Sequence, residues 1–116
     1  MDHNKTVGEK HDQGKIKAGV IIDFGLALMA VAEVGTFGIE KYKLRGGWSS
    51  VPDGIQRYED AMWRHLIKSR YERLDDDSGL LHEAHFVWCA LARLELKFRQ
   101  AIIDKKDEKS DIFSGR

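Results

Sequence analysis

Across residues 84–98 the apolar side chains Ala84, Val87, Trp88, Leu91, Leu94 and Phe98 fall three and four positions apart. That interval follows the 3.6-residue turn of an α-helix, and a stripe of this kind has to be buried against another element. The spacing predicts a helix over 79–104. Phe24, Leu28, Val31, Ala32 and Ile39 repeat the pattern and predict another over 23–41, its last turn weakened by Gly35 and Gly38. Between them, Gly46, Gly47, Pro52 and Gly54 mark an ordered loop anchored by Trp48, and a further helix is expected over 55–72. No alternating strand pattern and no internal repeat interrupts this order. The expected fold is all-α, a helical bundle of about three main helices.

The chain of 116 residues has room for one core. Residues 1–17 are polar with no apolar period and read as a flexible N-terminal arm; 18–105 form the helical domain and 106–116 a charged C-terminal tail. Lys plus Arg (19) balance Asp plus Glu (19), so the basic excess that drives binding to long nucleic acid is missing. A small phosphorylated ligand remains within reach of a local cluster. Cys89 is the only cysteine, which excludes an intrachain disulfide and suits a reducing cytoplasm. The apolar run 24–34, interrupted by Glu33, is too short to span a bilayer, so no membrane association is expected.

Several polar groups sit at spacings that chemistry can use. Arg57, Asp60 and Arg64 share one helix face, either as a surface salt ladder or as guanidinium forks for phosphate. Tyr58 and His65 lie on a neighbouring face. Glu72 and Asp75 form an ExxD pair whose carboxylates would point the same way if the helix continued through them, as a hard cation requires. Asp76, Asp77 and Ser78 extend this into a run that also reads as a turn or helix cap. His82, His85 and Cys89 form a stripe along one helix, either polar packing, a phosphate or base contact, or part of a zinc site needing a further ligand. Lys10, His11, Asp12, Gly14 and Lys15 could fold over an anion, with Gly14 permitting the turn.

Taken in order, GEKHDQGK (8–15), VAEVGTFGIEKY (31–42), GGWSSVPDGIQRYEDAMWRH (46–65), ERLDDDSGLLHEAH (72–85) and ALARLEL (90–96) resemble the dATP/dGTP diphosphohydrolase N-terminal family. The family occurs largely in bacteriophages and is named for members resembling the MazZ type of MazG-like nucleotide pyrophosphohydrolase. Beside a free-standing MazG-like fold this chain is helix-poor, so the resemblance implies a dimer that completes the bundle. The resemblance implies an all-α enzyme that uses Mg²⁺ or Mn²⁺ to split a purine deoxynucleoside triphosphate into monophosphate and pyrophosphate. It carries over to Lys10, Asp12, Lys15, Lys41, Tyr42, Arg57, Tyr58, Asp60, Arg64, His65, Glu72, Asp75, Ser78, His82 and His85.

Within that frame Glu72 and Asp75 are the expected metal ligands, with Asp60 and Glu33 as partners from neighbouring helices. Lys15, Lys41, Arg57 and Arg64 are expected to hold phosphate, and Trp48 or Tyr42 the base; His65 belongs to the same substrate-binding set. Glu72, Asp75, His82 and His85 form the catalytic set, with His82 or His85 activating water unless a carboxylate does so. Cys89 replaces an expected Asn, Asp77 a Glu, and Ile16 a Pro. Two other readings stay open: a non-catalytic nucleotide-sensing module, and a phage structural or host-interaction protein that keeps the scaffold alone.

Overall fold

The computed structural model describes residues 13–105, leaving Lys10, His11 and Asp12 of the arm and the tail 106–116 outside the described residues. The chain enters through a turn at Gly14, whose φ of 81° is the left-handed conformation expected of that glycine. A 3-10 segment, Ala18–Phe24, then runs into helix α1, Gly25–Tyr42. A 3-10 turn at Gly47–Ser50 leads to helix α2, Gly54–Lys68, and helix α3 covers His82–Asp104. Among the described residues the one β feature is an isolated antiparallel bridge between Leu74 and Leu81. The all-α bundle of three helices is therefore the observed architecture.

Two boundaries differ from the sequence expectation, for one reason. Helix α2 stops at Lys68 rather than 72. Ser69 returns its hydroxyl to the Leu66 carbonyl at 2.6 Å, and the Lys68 carbonyl accepts the N–H groups of Tyr71 and Glu72 at 3.0 and 2.7 Å. Beyond this turn the backbone pairs across the loop: His82 N donates to Arg73 O at 3.0 Å and Asp75 N to Leu80 O at 2.8 Å. This pairing holds Leu81 extended (φ −59°, ψ 132°), so α3 begins at His82 rather than 79. The acidic run closes a tight loop, with Gly79 at φ 73°, instead of continuing or capping a helix.

Helices α2 and α3 pack against each other as the main pair, and α1 lies on α3. Their core is thin: the buried apolar residues are Val31, Val34, Ala84, Cys89 and Ala92. Trp88 extends it by resting on the bare backbone of Gly35, where an added Cβ would lie 2.6 Å from a ring carbon. Its ring also meets Trp48 edge-on at 6.5 Å, which bears out the reading of Trp48 as the anchor of its loop. Tyr58 donates its hydroxyl to the Trp48 carbonyl at 2.8 Å and ties the same loop to α2.

The segment Ala18–Tyr42 is 25 residues long, and by length and composition it is apolar enough to cross a membrane. The estimate from residues 24–34 was too short because it ended the run at the Glu33 region. The 3-10 segment before α1 and the weakly polar residues of α1 beyond Val34 prolong the apolar helix. Much of this helix is uncovered in the single chain: Val20, Ile21, Ile22, Phe24 and Leu26 are exposed, Leu26 by 92%.

Replacing Gly35 by alanine should destabilise the protein by roughly 1–3 kcal/mol, because the new methyl group displaces Trp88. Gly38→Ala, with nothing within 4 Å of the new carbon, should instead stabilise by about 0.5–1 kcal/mol through helix propensity. Urea unfolding of the two variants checks the opposite signs.

Candidate functional site

The end of the α2–α3 pair gathers the ionisable side chains. His65 projects from the last turn of α2 and His82 and His85 from the first turn of α3, while the loop between the helices supplies Glu72, Asp75 and Ser78. The loop 69–81, closed by the Leu74–Leu81 bridge, brings these two helix ends together. His65 stacks on His85 with ring centroids 4.5 Å apart and planes 14° from parallel, and it lies 5.1 Å from the tilted ring of His82. His82 is 1% exposed, the most deeply buried side chain of the set.

The hydrogen bonds fix direction as well as distance. Asp75 Oδ2 accepts the Ser78 backbone N–H at 2.9 Å and the Ser78 hydroxyl at 3.0 Å. With its proton committed there, Ser78 Oγ accepts from Leu80 N at 3.1 Å and from His85 Nε2 at 2.7 Å. On the other side, His82 Nε2 donates to Glu72 Oε1 at 3.1 Å. A neutral His82 therefore keeps its lone pair on Nδ1, which faces His65 Nδ1 at 2.9 Å. The Glu72–Asp75 pair is thus split between two histidines, because α2 has already ended and the two carboxylates leave the loop in different directions.

Burial, reinforced by the neighbouring His85, lowers the pKa of His65 to about 4. His85 is lowered as well, again through burial, with Asp75 opposing. Burial would raise Asp75, but the two Ser78 hydrogen bonds and the adjacent imidazoles outweigh it and the carboxyl titrates below its ordinary range. At neutral pH His65 and His85 are neutral imidazoles beside the Asp75 carboxylate, a state that leaves ring lone pairs and a negative charge together. Among the described residues, His65, Asp75 and His82 bring ligand atoms within 4.8 Å of one another. Cys89 is not in that group; burial raises its thiol to about 11, which leaves it a small neutral core side chain.

The other sequence candidates surround this cluster unevenly. Asp60 accepts from Gln56 at 3.1 Å on the exposed side of α2, away from Asp75. Glu33 lines an open groove of ≈ 340 Å³ between α1 and the loop, with Met29, Ala32, Phe37 and Leu80 as apolar wall and Thr36, Glu40 and Ser78 as polar wall. The four carboxylates Glu33, Asp60, Glu72 and Asp75 consequently do not converge on one point. Lys41 Nζ pairs with Asp77 at 2.7 Å and lies 5.5 Å over the ring of exposed Tyr42. Lys15, Arg57 and Arg64 are exposed, Arg57 reaching the Pro52 carbonyl at 3.5 Å. Trp48 is already engaged, with Arg99 over its ring at 5.1 Å. Sequence reasoning placed Ser78 in the turn and among the matching family positions but gave it no role in the site. The signal available was its place three residues after Asp75, where a carboxylate readily accepts from the following backbone.

The chain is thus a helical domain that gathers imidazoles and carboxylates where α2 ends and α3 begins, beside an open groove. The chain is a member of the family described as dATP/dGTP diphosphohydrolase, N-terminal, which matches residues 5–106. That family name implies a diphosphohydrolase. No curated protein and no solved structure was found to match the chain.

The histidine shifts set a pH dependence of stability for the metal-free protein. Between the ordinary value of 6.5 and about 4 the unfolded chain binds a proton that folded His65 refuses, so stability should fall as pH is lowered through that window. Asp75 loses its contribution only at lower pH, since its unfolded value is 3.8. Urea midpoints from pH 7 to pH 4 should slope less in His65→Gln than in the wild type.

Proposed function

We propose that the protein is a metal-dependent nucleoside triphosphate pyrophosphohydrolase acting on purine deoxynucleotides, converting dATP or dGTP and water to the monophosphate and pyrophosphate. The family match over residues 5–106 carries this reading. The convergence of His65, Glu72, Asp75, Ser78, His82 and His85 supports it, because packing two helices does not require six polar side chains at one end. A divalent cation of the Mg²⁺ or Mn²⁺ kind, when bound, would supply the positive charge that offsets the negative charge developing as the anhydride opens. Asp75, whose ligand oxygen lies within 4.8 Å of nitrogens of both His65 and His82, fits a ligand role; Asp60, held by Gln56, does not join them.

The remaining residues divide the work by position. Neutral His85 takes a proton from the attacking water, and the imidazolium so formed is stabilised by Ser78 and by Asp75, 3.8 Å away. Ser78 forms part of both this network and the groove wall, so a base lying along Phe37 and Leu80 sets its phosphates beside the cluster. Lys41 exchanges its exposed partner Asp77 for phosphate, with Arg57, Arg64 and Lys15 as further cations at the rim.

A second copy of the chain completes the bundle by covering the apolar face of Ala18–Phe24 and the start of α1. A protein partner suits this helix better than lipid, because Glu33, Thr36 and Glu40 line the groove along it. Carboxylates there would cost several kcal/mol in hydrocarbon. A soluble nucleotide substrate and a reduced Cys89 agree with a cytoplasmic setting.

Product analysis with each deoxynucleoside triphosphate, in divalent metal or chelator, should give pyrophosphate and dAMP or dGMP only with metal. His85→Ala should lower kcat by about 10²–10⁴-fold. A folded protein that binds a nucleotide but turns none over would replace the enzyme reading by a nucleotide-sensing module. In sedimentation equilibrium the wild type should be a dimer and Leu26→Glu should shift it toward monomer; a stable, active wild-type monomer would sink the dimer.

A further inference from the structure

The donor set at the end of the α2–α3 pair differs from what a hard cation requires. Mg²⁺ takes oxygen ligands in a near-ideal octahedron, usually one or two carboxylates with water and phosphate. Here Glu72 is turned away to His82 and Asp60 to Gln56, and the atoms that converge are two imidazole nitrogens and one carboxylate. Imidazole selects first-row transition cations over Mg²⁺. We infer that His65, Asp75 and His82 form a transition-metal site of the Mn²⁺ to Zn²⁺ series, with Glu72 orienting His82 from outside it.

Three features of the geometry agree. Two nitrogens bound side by side to one ion at about 2.0–2.1 Å stand about 3 Å apart when the angle at the metal is near a right angle. The Nδ1 atoms of His65 and His82 are 2.9 Å apart. Secondly, a metal-bound imidazole almost always gives its other N–H to a carboxylate, which fixes the tautomer. Glu72 holds His82 in that way at 3.1 Å, leaving Nδ1 as the free lone pair of a ring that is 1% exposed. His65 needs only to carry its proton on Nε2 to present a matching lone pair. Thirdly, three protein ligands leave coordination positions for water and phosphate oxygen, as in catalytic rather than closed structural sites. Asp75 is held for this by both hydrogen bonds from Ser78, within a loop closed by the Leu74–Leu81 bridge.

This inference deepens the proposed reaction by naming its cation, and it rests on that reading for its purpose, but binding can be measured without turnover. The chelator-treated full chain is titrated with Zn²⁺, Mn²⁺ and Mg²⁺ by calorimetry, and its imidazole nitrogens are followed by ¹⁵N NMR. One Zn²⁺ per chain, at least about 100-fold tighter than Mg²⁺, with Nδ1 of His65 and His82 both shifted, is the expected result. Glu72→Gln should weaken Zn²⁺ by about 10–100-fold while leaving the stoichiometry unchanged. His65→Gln should weaken it further. Because His82 is fully buried and its replacement can unfold the protein, half-buried His65, checked by circular dichroism, carries the ligand test. Zn²⁺ binding that is the same in folded His65→Gln, or Mg²⁺ preferred with both imidazoles unshifted, overturns the site. Zn²⁺ bound as described by a protein that hydrolyses no nucleotide upholds the site and overturns the reaction. Full Mg²⁺-supported turnover in His65→Gln does the reverse.

Discussion

The loop between α2 and α3 is the constraint on which the rest of the site depends. A hydroxyl return at Ser69 ends α2, and a pair of backbone hydrogen bonds between 73–75 and 80–82 delays α3. The polar centre exists because both helices stop where they do. Had α2 run on through Glu72 and Asp75, those carboxylates would share a helix face and leave the histidines of α3 unpaired. Ending it early lets each carboxylate turn inward to a different imidazole. An unpartnered polar group buried as deeply as His82 costs about 1–3 kcal/mol, so Glu72 matters to folding as well as to chemistry.

The second dependence runs through Trp88. Its ring needs the absent side chain at Gly35 to seat α1 and the edge of Trp48 to seat the loop before α2. One aromatic side chain on α3 thereby positions both the groove wall carrying Glu33 and the loop that starts α2. With so few apolar side chains buried, the single chain leaves one side of α1 bare. The side chains left bare there are among those that make Ala18–Tyr42 apolar enough for a bilayer.

Much of the scaffold was legible in advance. The three-and-four stripes of α1 and α3 depend only on which residues must leave water, and the turn at Gly14 and the Trp48 anchor depend on local chemistry. Boundaries at 68 and 82 were not legible, because helix propensity and spacing do not report the backbone pairing of Arg73 with His82 and of Asp75 with Leu80. The apolar reach of Ala18–Tyr42 was underestimated since contiguous runs were counted where a helix averages over its whole length.

By itself the sequence determined the helical class, the family, and which side chains were available for chemistry: the carboxylates, histidines and cations in their order. Tertiary structure alone decided which of them meet. It set His65 beside His82 and His85, made Ser78 the link between Asp75 and His85, turned Glu72 from a partner of Asp75 into the support of His82, and left Asp60 outside. The physical reason is that periodicity encodes burial, a property of one residue and its own helix. Convergence of functional atoms depends on the path of the loop joining two helices, and that path is set by hydrogen bonds formed only once both helices have packed.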